Sequence, residues 1–124
     1  MPNQRRSHPT TMLGRRGEEV AAQYVIRLGW IILDRNWRCP GGELDLVARD
    51  GGELVVCEVK TRSTLRFGAP VEAVTEAKAA RLRRLAGRWA ALHGCAGAPI
   101  RIDVIGLLAG AAERYTIDHL RAVC

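Results

Sequence analysis

The stretch from Glu43 to Lys60 constrains this chain more than any other, because it reads as a β-hairpin with charged side chains where a core is expected. Two runs rich in Val and Leu flank Asp50-Gly51-Gly52, and paired glycines supply the positive φ values that a tight hairpin turn needs. With Gly51-Gly52 as a two-residue loop, Asp50 pairs with Glu53, Asp45 falls across from Glu58, and Glu43 falls across from Lys60. Glu43, Asp45, Glu58 and Lys60 then share one face with Val47, Leu54 and Val56, since side chains alternate along a strand. The other face holds Leu44, Leu46, Val55, Cys57 and Val59. The second strand is therefore apolar on both sides apart from its charged end, as expected for a central strand. Opposed carboxylates on a half-buried surface repel unless a proton or a cation lies between them, and a divalent metal is the simplest remedy. A bulge or a three-residue turn would shift the register by one residue and undo this juxtaposition.

Bulk properties narrow the class. At 124 residues the chain is long enough to bury a core without staples. One domain is expected over residues 13–124, behind a basic tail, residues 1–12, whose Pro2, Pro9 and polar side chains predict disorder. Cys39, Cys57, Cys95 and Cys124 have no Cys-x-x-Cys spacing, which argues against a zinc site and a disulfide framework, and free thiols suit the cytoplasm. The sequence has no apolar run of membrane-spanning length and no apolar segment behind Arg5 and Arg6, so neither a membrane span nor a signal peptide is expected. Of the net charge of +6, four units come from Arg5, Arg6, Arg15 and Arg16 in an acid-free N-terminus. The rest is clustered: Lys78, Arg81, Arg83, Arg84 and Arg88 face a single acid, Glu76, between positions 75 and 94. Such a cluster is either a solvated helix face or a surface for a polyanion.

Elements follow from periodicity. A helix is expected from Leu13, with Gly17, Ala21, Tyr24, Val25 and Leu28 at helical spacing and Gly29 as its stop. Glu18 lies seven residues before Val25, at the edge of that stripe, where it either complements the helix dipole or turns inward. Trp30 to Arg38 predicts a strand, and Cys39-Pro40-Gly41-Gly42 a loop into the hairpin. Trp30, Trp37 and Trp89 fit core or core-edge positions better than base-stacking ones. After Lys60 comes a basic polar loop, Thr61 to Gly68, which contains Arg62 and Arg66. Thr75 caps a long helix to about His93, closed by Gly94, with an inward stripe at Leu82, Leu85, Trp89 and Leu92. Four residues before Leu82, Lys78 occupies that stripe in a turn where the dipole disfavours a cation, so it either snorkels outward or meets anions. Pro99 to Leu108 predicts a strand buried on both faces except for Arg101 and Asp103, the latter an ion-pair partner or a ligand. Ala111 to Cys124 predicts an edge strand around Tyr115 to Ile117 and a turn of helix.

The charges that the pattern turns inward are Glu18, Asp45, Glu58 and Lys60, with Lys78 beside them. Carboxylate oxygens are the hard ligands that Mg²⁺ or Mn²⁺ prefers. Lys60, two residues after Glu58, projects on the same face, where it can move a proton or stabilise charge on phosphorus. Together these are the parts for metal-assisted phosphodiester hydrolysis.

The same residues carry a resemblance. Gly14-x-x-Gly17-Glu18, Gly42-Glu43-Leu44-Asp45-Leu46, Val56-Cys57-Glu58-Val59-Lys60-x-Arg62, Phe67-Gly68 and Arg101-Ile102-Asp103-Val104 occur in an order that resembles the bacterial YraN family. That family is similar to restriction-endonuclease-like PD-(D/E)XK nucleases, in particular archaeal Holliday junction resolvases, although Leu44 stands where the motif name has proline. The resemblance implies a single-domain α/β restriction-endonuclease-like fold, a central mixed β-sheet flanked by helices in the order helix, strand, hairpin strands, helix, strand. It implies metal ligation by Asp45 and Glu58, a catalytic Lys60, and Glu18 as the helix carboxylate that completes the site. The expected function is a Mg²⁺- or Mn²⁺-dependent endonuclease of structured or branched DNA in the cytoplasm, with DNA contacts from Arg62, Arg66, Lys78, Arg81 and Arg84. A homodimer is a candidate assembly. The alternative is a noncatalytic nucleic-acid-binding or protein-interaction module that retains the fold, although such a module gains nothing from opposed inward carboxylates.

Overall fold

The Gly51-Gly52 turn forms as its composition predicts, with Gly51 at φ 60°, and it sets an antiparallel ladder from Asp50↔Glu53 to Leu46↔Cys57. This computed structural model describes residues 12–63 and 74–123. Its elements are α1 (Met12–Arg27), β1 (Ile31–Cys39), β2 (Gly42–Asp50), β3 (Glu53–Arg62), α2 (Glu76–Leu92), β4 (Ile100–Ala109) and β5 (Tyr115–Leu120). The strands lie in the order β1-β2-β3-β4-β5, with β3 antiparallel to β2 and parallel to β4, so the sheet is mixed and β3 is central. A parallel neighbour requires a crossover, and α2 supplies it. The expected turn of helix is a 3₁₀ turn, Ala111–Glu113, and it precedes β5. Residues 1–11 of the basic tail, Arg66, Phe67-Gly68 and Cys124 lie outside the described residues, and Met12 opens α1.

Each face of the sheet holds one helix. Ala21 and Val25 of α1 pack on Leu46, Val55, Cys57 and Ile105. Leu82, Leu85 and Trp89 of α2 pack on Val47, Leu54, Val56 and Ile102. Trp30 and Trp89 are buried, in line with a core role, and the Trp89 indole N–H donates to Asp34 at 2.8 Å.

Three expectations need correction, the first being that the ladder ends at Leu46↔Cys57, so Asp45 does not pair with Glu58 nor Glu43 with Lys60. Leu44 joins the α2-side cluster instead of sharing a face with Leu46. Strict alternation lapses where β2 stops pairing with β3 after Leu46; alongside, in β1, Asn36 sits at φ 54° between the pairs Arg35↔Leu46 and Trp37↔Leu44. Leu28 and Leu92 extend their helical stripes on paper, yet they are 40% and 67% exposed. Leu92 is the last residue of α2, and Leu28 follows the last residue of α1. Asp103, by contrast, is the structural ion-pair partner that the sequence offered. Its carboxylate accepts two bonds from Arg101, at 2.9 and 3.0 Å, one from the Ala122 amide at 3.0 Å, and lies 2.8 Å from His119.

Candidate active site

The end of the sheet away from the Gly51-Gly52 turn is where β3 outlasts its pairing with β2. β3 continues beside β4 as far as Arg62↔Leu108, whereas the β2 ladder ends at Leu46↔Cys57. In place of the next ladder bond, the Val59 amide donates to Asp45 Oδ2 at 2.9 Å. A backbone group of the strand that carries Glu58 thus fixes the Asp45 carboxylate. Glu58 is 7% exposed, and its Oε2 lies 3.3 Å from Lys60 Nζ and 2.8 Å from Lys78 Nζ.

Two helices close over these side chains. Gly17 of α1 rests directly on Thr61 of β3; a Cβ built at Gly17 would clash with Thr61 Oγ1 and stand 3.0 Å from Thr61 Cβ. Only glycine permits that approach, which brings the next residue, Glu18, to the cleft. On the other side, the Thr75 hydroxyl accepts from the Lys78 amide at 3.1 Å, so the N-cap starts α2 with Lys78 in its first turn. Lys78, Arg81 and Leu82 line a cleft of about 410 Å³ together with Glu18, Glu43, Asp45, Glu58 and Lys60. Among the sequence candidates, the structure therefore gathers Glu18, Asp45, Glu58, Lys60, Lys78 and Arg81 at one place. Glu43 lines it as well, paired with Arg38 at 3.5 Å; its position on the charged face of the hairpin was the signal for it.

Charge is unevenly compensated in this cleft. Burial, then the charge of Glu58, raises the Asp45 pKa to about 8 against the opposing bond from Val59, and Glu18 and Glu43 add to the rise. Burial and the neighbouring Lys78 ammonium weaken the hold of Lys60 on its proton, in spite of Glu58. For Lys78, burial acts the same way, but the bond to Glu58 prevails and its pKa is raised.

The donor set suits a hard cation. Among the described residues no three His, Cys, Asp or Glu side chains converge as a ready-made metal cage. Mg²⁺, however, takes one or two protein carboxylates and completes its shell with water and phosphate oxygens. Asp45 and Glu58, with Glu18 nearby, offer only carboxylate oxygens, and burial together with the Glu58 charge raises the Asp45 pKa.

The arginines separate by partner. Arg81 lines the cleft and Arg84 is exposed. Arg62 continues the Glu58 and Lys60 face of β3, and its Nε has no hydrogen-bond partner among the described residues. Arg83 and Arg88 donate to the carbonyls of Ile100, at 3.4 Å, and Pro40, at 2.7 Å. No spacing in the sequence distinguishes these roles.

A family model, described as uncharacterised protein family UPF0102, matches residues 17–107. The chain belongs to this family. It is the YraN family that the order of the motifs resembles. UPF0102 proteins similar to this one include that of Nocardioides sp., 53% identical over 111 residues that cover 90% of each chain. The UPF0102 protein of Beutenbergia cavernae is 54% identical over 111 residues, 90% of this chain and 94% of the relative. That of Frankia alni is 55% identical over 109 residues, 88% and 91% of the two chains. The UPF0102 match starts on Gly17, the residue whose contact with Thr61 seats α1, and spans every charged residue of the cleft named above. Among the described residues, no helix is long and apolar enough to cross a membrane.

Proposed function

We propose that this UPF0102 protein is a Mg²⁺- or Mn²⁺-dependent endonuclease that hydrolyses phosphodiester bonds of structured or branched DNA. The observation that carries this reading is the cleft in which Asp45 is bonded to the strand bearing Glu58, with Lys60 on Glu58 and Glu18 at its side. Asp45 and Glu58 would hold the ion, with Glu18 completing its surroundings. Once bound, it supplies Lewis acidity at a phosphoryl oxygen and acidifies a water. Lys60, with its weakened hold on its proton, takes a proton from the attacking water or balances charge on phosphorus. Arg81 in the cleft and the exposed Arg84 supply cationic contacts for a DNA backbone, with Arg62 further along β3. The preference for branched substrates rests on the resemblance to junction resolvases.

The test is nicking of linear, flapped and four-way DNA in Mn²⁺ by wild type, Asp45→Asn and Lys60→Met. Wild type should cleave at least one substrate, and each variant should lose about 10²-fold or more, the scale of a positioned proton-transfer or charge-stabilising group. Lys60→Met should keep its Mn²⁺ affinity. DNA binding without cleavage by wild type would favour the noncatalytic module, and equal cleavage by wild type and Asp45→Asn would remove this cleft from the reaction.

A further inference from the structure

Lys78 is out of place by the ordinary rules of helices. It lies in the first turn of α2, where the dipole disfavours a cation, and its side chain is only 22% exposed. What draws it inward is Glu58, which it meets at 2.8 Å, closer than the 3.3 Å of Lys60 on the same oxygen. A buried carboxylate needs a countercharge, and Lys78 provides it from a different element of the fold.

We propose that Lys78 is a placeholder cation: it holds Glu58 while the metal is absent, is displaced when the metal binds, and then receives the phosphodiester of the substrate. The inference rests on the metal-dependent reading of the cleft and adds an order to its binding events. A divalent ion on Asp45 and Glu58 competes for the oxygen that Lys78 occupies and repels its ammonium. Lys60 shares a strand with Glu58, two residues away, whereas Lys78 reaches Glu58 from a different element, α2, on the side of the cleft that Arg81, three residues on, also lines. Charge points the same way: a divalent ion adds two positive charges beside Lys60, Lys78 and Arg81, and a phosphodiester then offsets part of that charge. Metal and DNA should therefore bind cooperatively, with Lys78 as the link.

Calorimetry of Mn²⁺ binding without DNA, on wild type, Lys78→Met, Arg88→Met and Asp45→Asn, tests this together with amine acylation of Lys78 read by mass spectrometry. Removing the competitor should tighten Mn²⁺ binding by about tenfold or more, equivalent to about 1.4 kcal/mol. Arg88→Met removes a cation of α2 that is bound to the Pro40 carbonyl and does not line the cleft, and it should stay within about threefold of wild type because a remote charge is screened. Mn²⁺ should increase acylation of Lys78 in wild type, a readout that stands even where Lys78→Met folds poorly. Equal or weaker Mn²⁺ binding by folded Lys78→Met, or protection of Lys78 by Mn²⁺, overturns the placeholder and leaves the metal site standing. Mn²⁺ binding that is absent from wild type, or unaffected by Asp45→Asn, overturns the metal reading of the cleft and this inference with it.

Discussion

Asp45 has its proton held more firmly in the folded protein than in the unfolded chain, because burial and Glu58 raise its pKa from 3.8 to about 8. A raised carboxyl contributes stability that is present below the unfolded pKa and is lost as pH climbs through the folded one. The metal-free protein should therefore weaken between about pH 4 and pH 8 from this group, with a slope of up to about 1.4 kcal/mol per pH unit. Asp45→Asn should flatten that slope and melt higher than wild type near pH 8, where the repulsion is largest. Mn²⁺ at 100 times its dissociation constant should restore about 2.7 kcal/mol to wild type and nothing to the variant. Denaturant titrations at pH 5 and pH 8, with and without Mn²⁺, read all four quantities; a pH slope that survives Asp45→Asn would locate the titration elsewhere.

Two glycines in helices make opposite demands at the level of elements. Gly17 of α1 lies against Thr61, with no room for a Cβ, and this contact seats α1 on β3. Gly87 of α2 has nothing within 4 Å of an added Cβ. Gly17→Ala should cost about 1–3 kcal/mol as the helix is pushed off the strand, and should carry Glu18 away from the cleft. Gly87→Ala should instead stabilise by up to about 1 kcal/mol, since alanine is the better helix former and meets no obstacle. Melting curves of the two variants check the pair, and equal effects would mean that the α1–β3 approach does not govern the packing.

Across the whole molecule, Asp103 and Arg101 form a junction of β4 with the hairpin turn, β5 and, through His119, α1. Arg101 reaches Asp50 at 3.1 Å and Glu53 at 2.9 Å beside the hairpin turn, and His119 of β5 lies 2.8 Å from both Asp103 and Tyr24 of α1. Burial alone would raise the Asp103 pKa, but the bonds from Arg101, the Ala122 amide and His119 outweigh it and hold the pKa below 3.8. Its contribution is thus present above the unfolded pKa and is lost as pH falls through the folded one, the opposite sense to Asp45. Asp103→Asn leaves Arg101 without its main partner and should cost about 3–5 kcal/mol at neutral pH, with a smaller difference in acid. Urea denaturation at pH 7 and pH 3 measures it, and a loss that is the same at both would discard the ionic role.

Much of the cleft follows from spacing inside single elements. Paired glycines set a two-residue turn, the turn set the register as far as Leu46↔Cys57, and alternation placed Glu58 and Lys60 on one face of the central strand. Lys78 was likewise placed inward by its four-residue step from Leu82. These relations are legible because bond geometry and hydrogen-bond periodicity repeat along a chain, whatever it packs against. Relations between elements are not. That β2 leaves β3 at Asp45, that Leu44 crosses to the α2 side, that Glu18 comes to the cleft through the Gly17–Thr61 contact, and that Arg81 lines the site while Arg83 turns away were decided by the tertiary structure. Helix depth and rotation are set by the joint packing of residues far apart in the chain, and no local period encodes them.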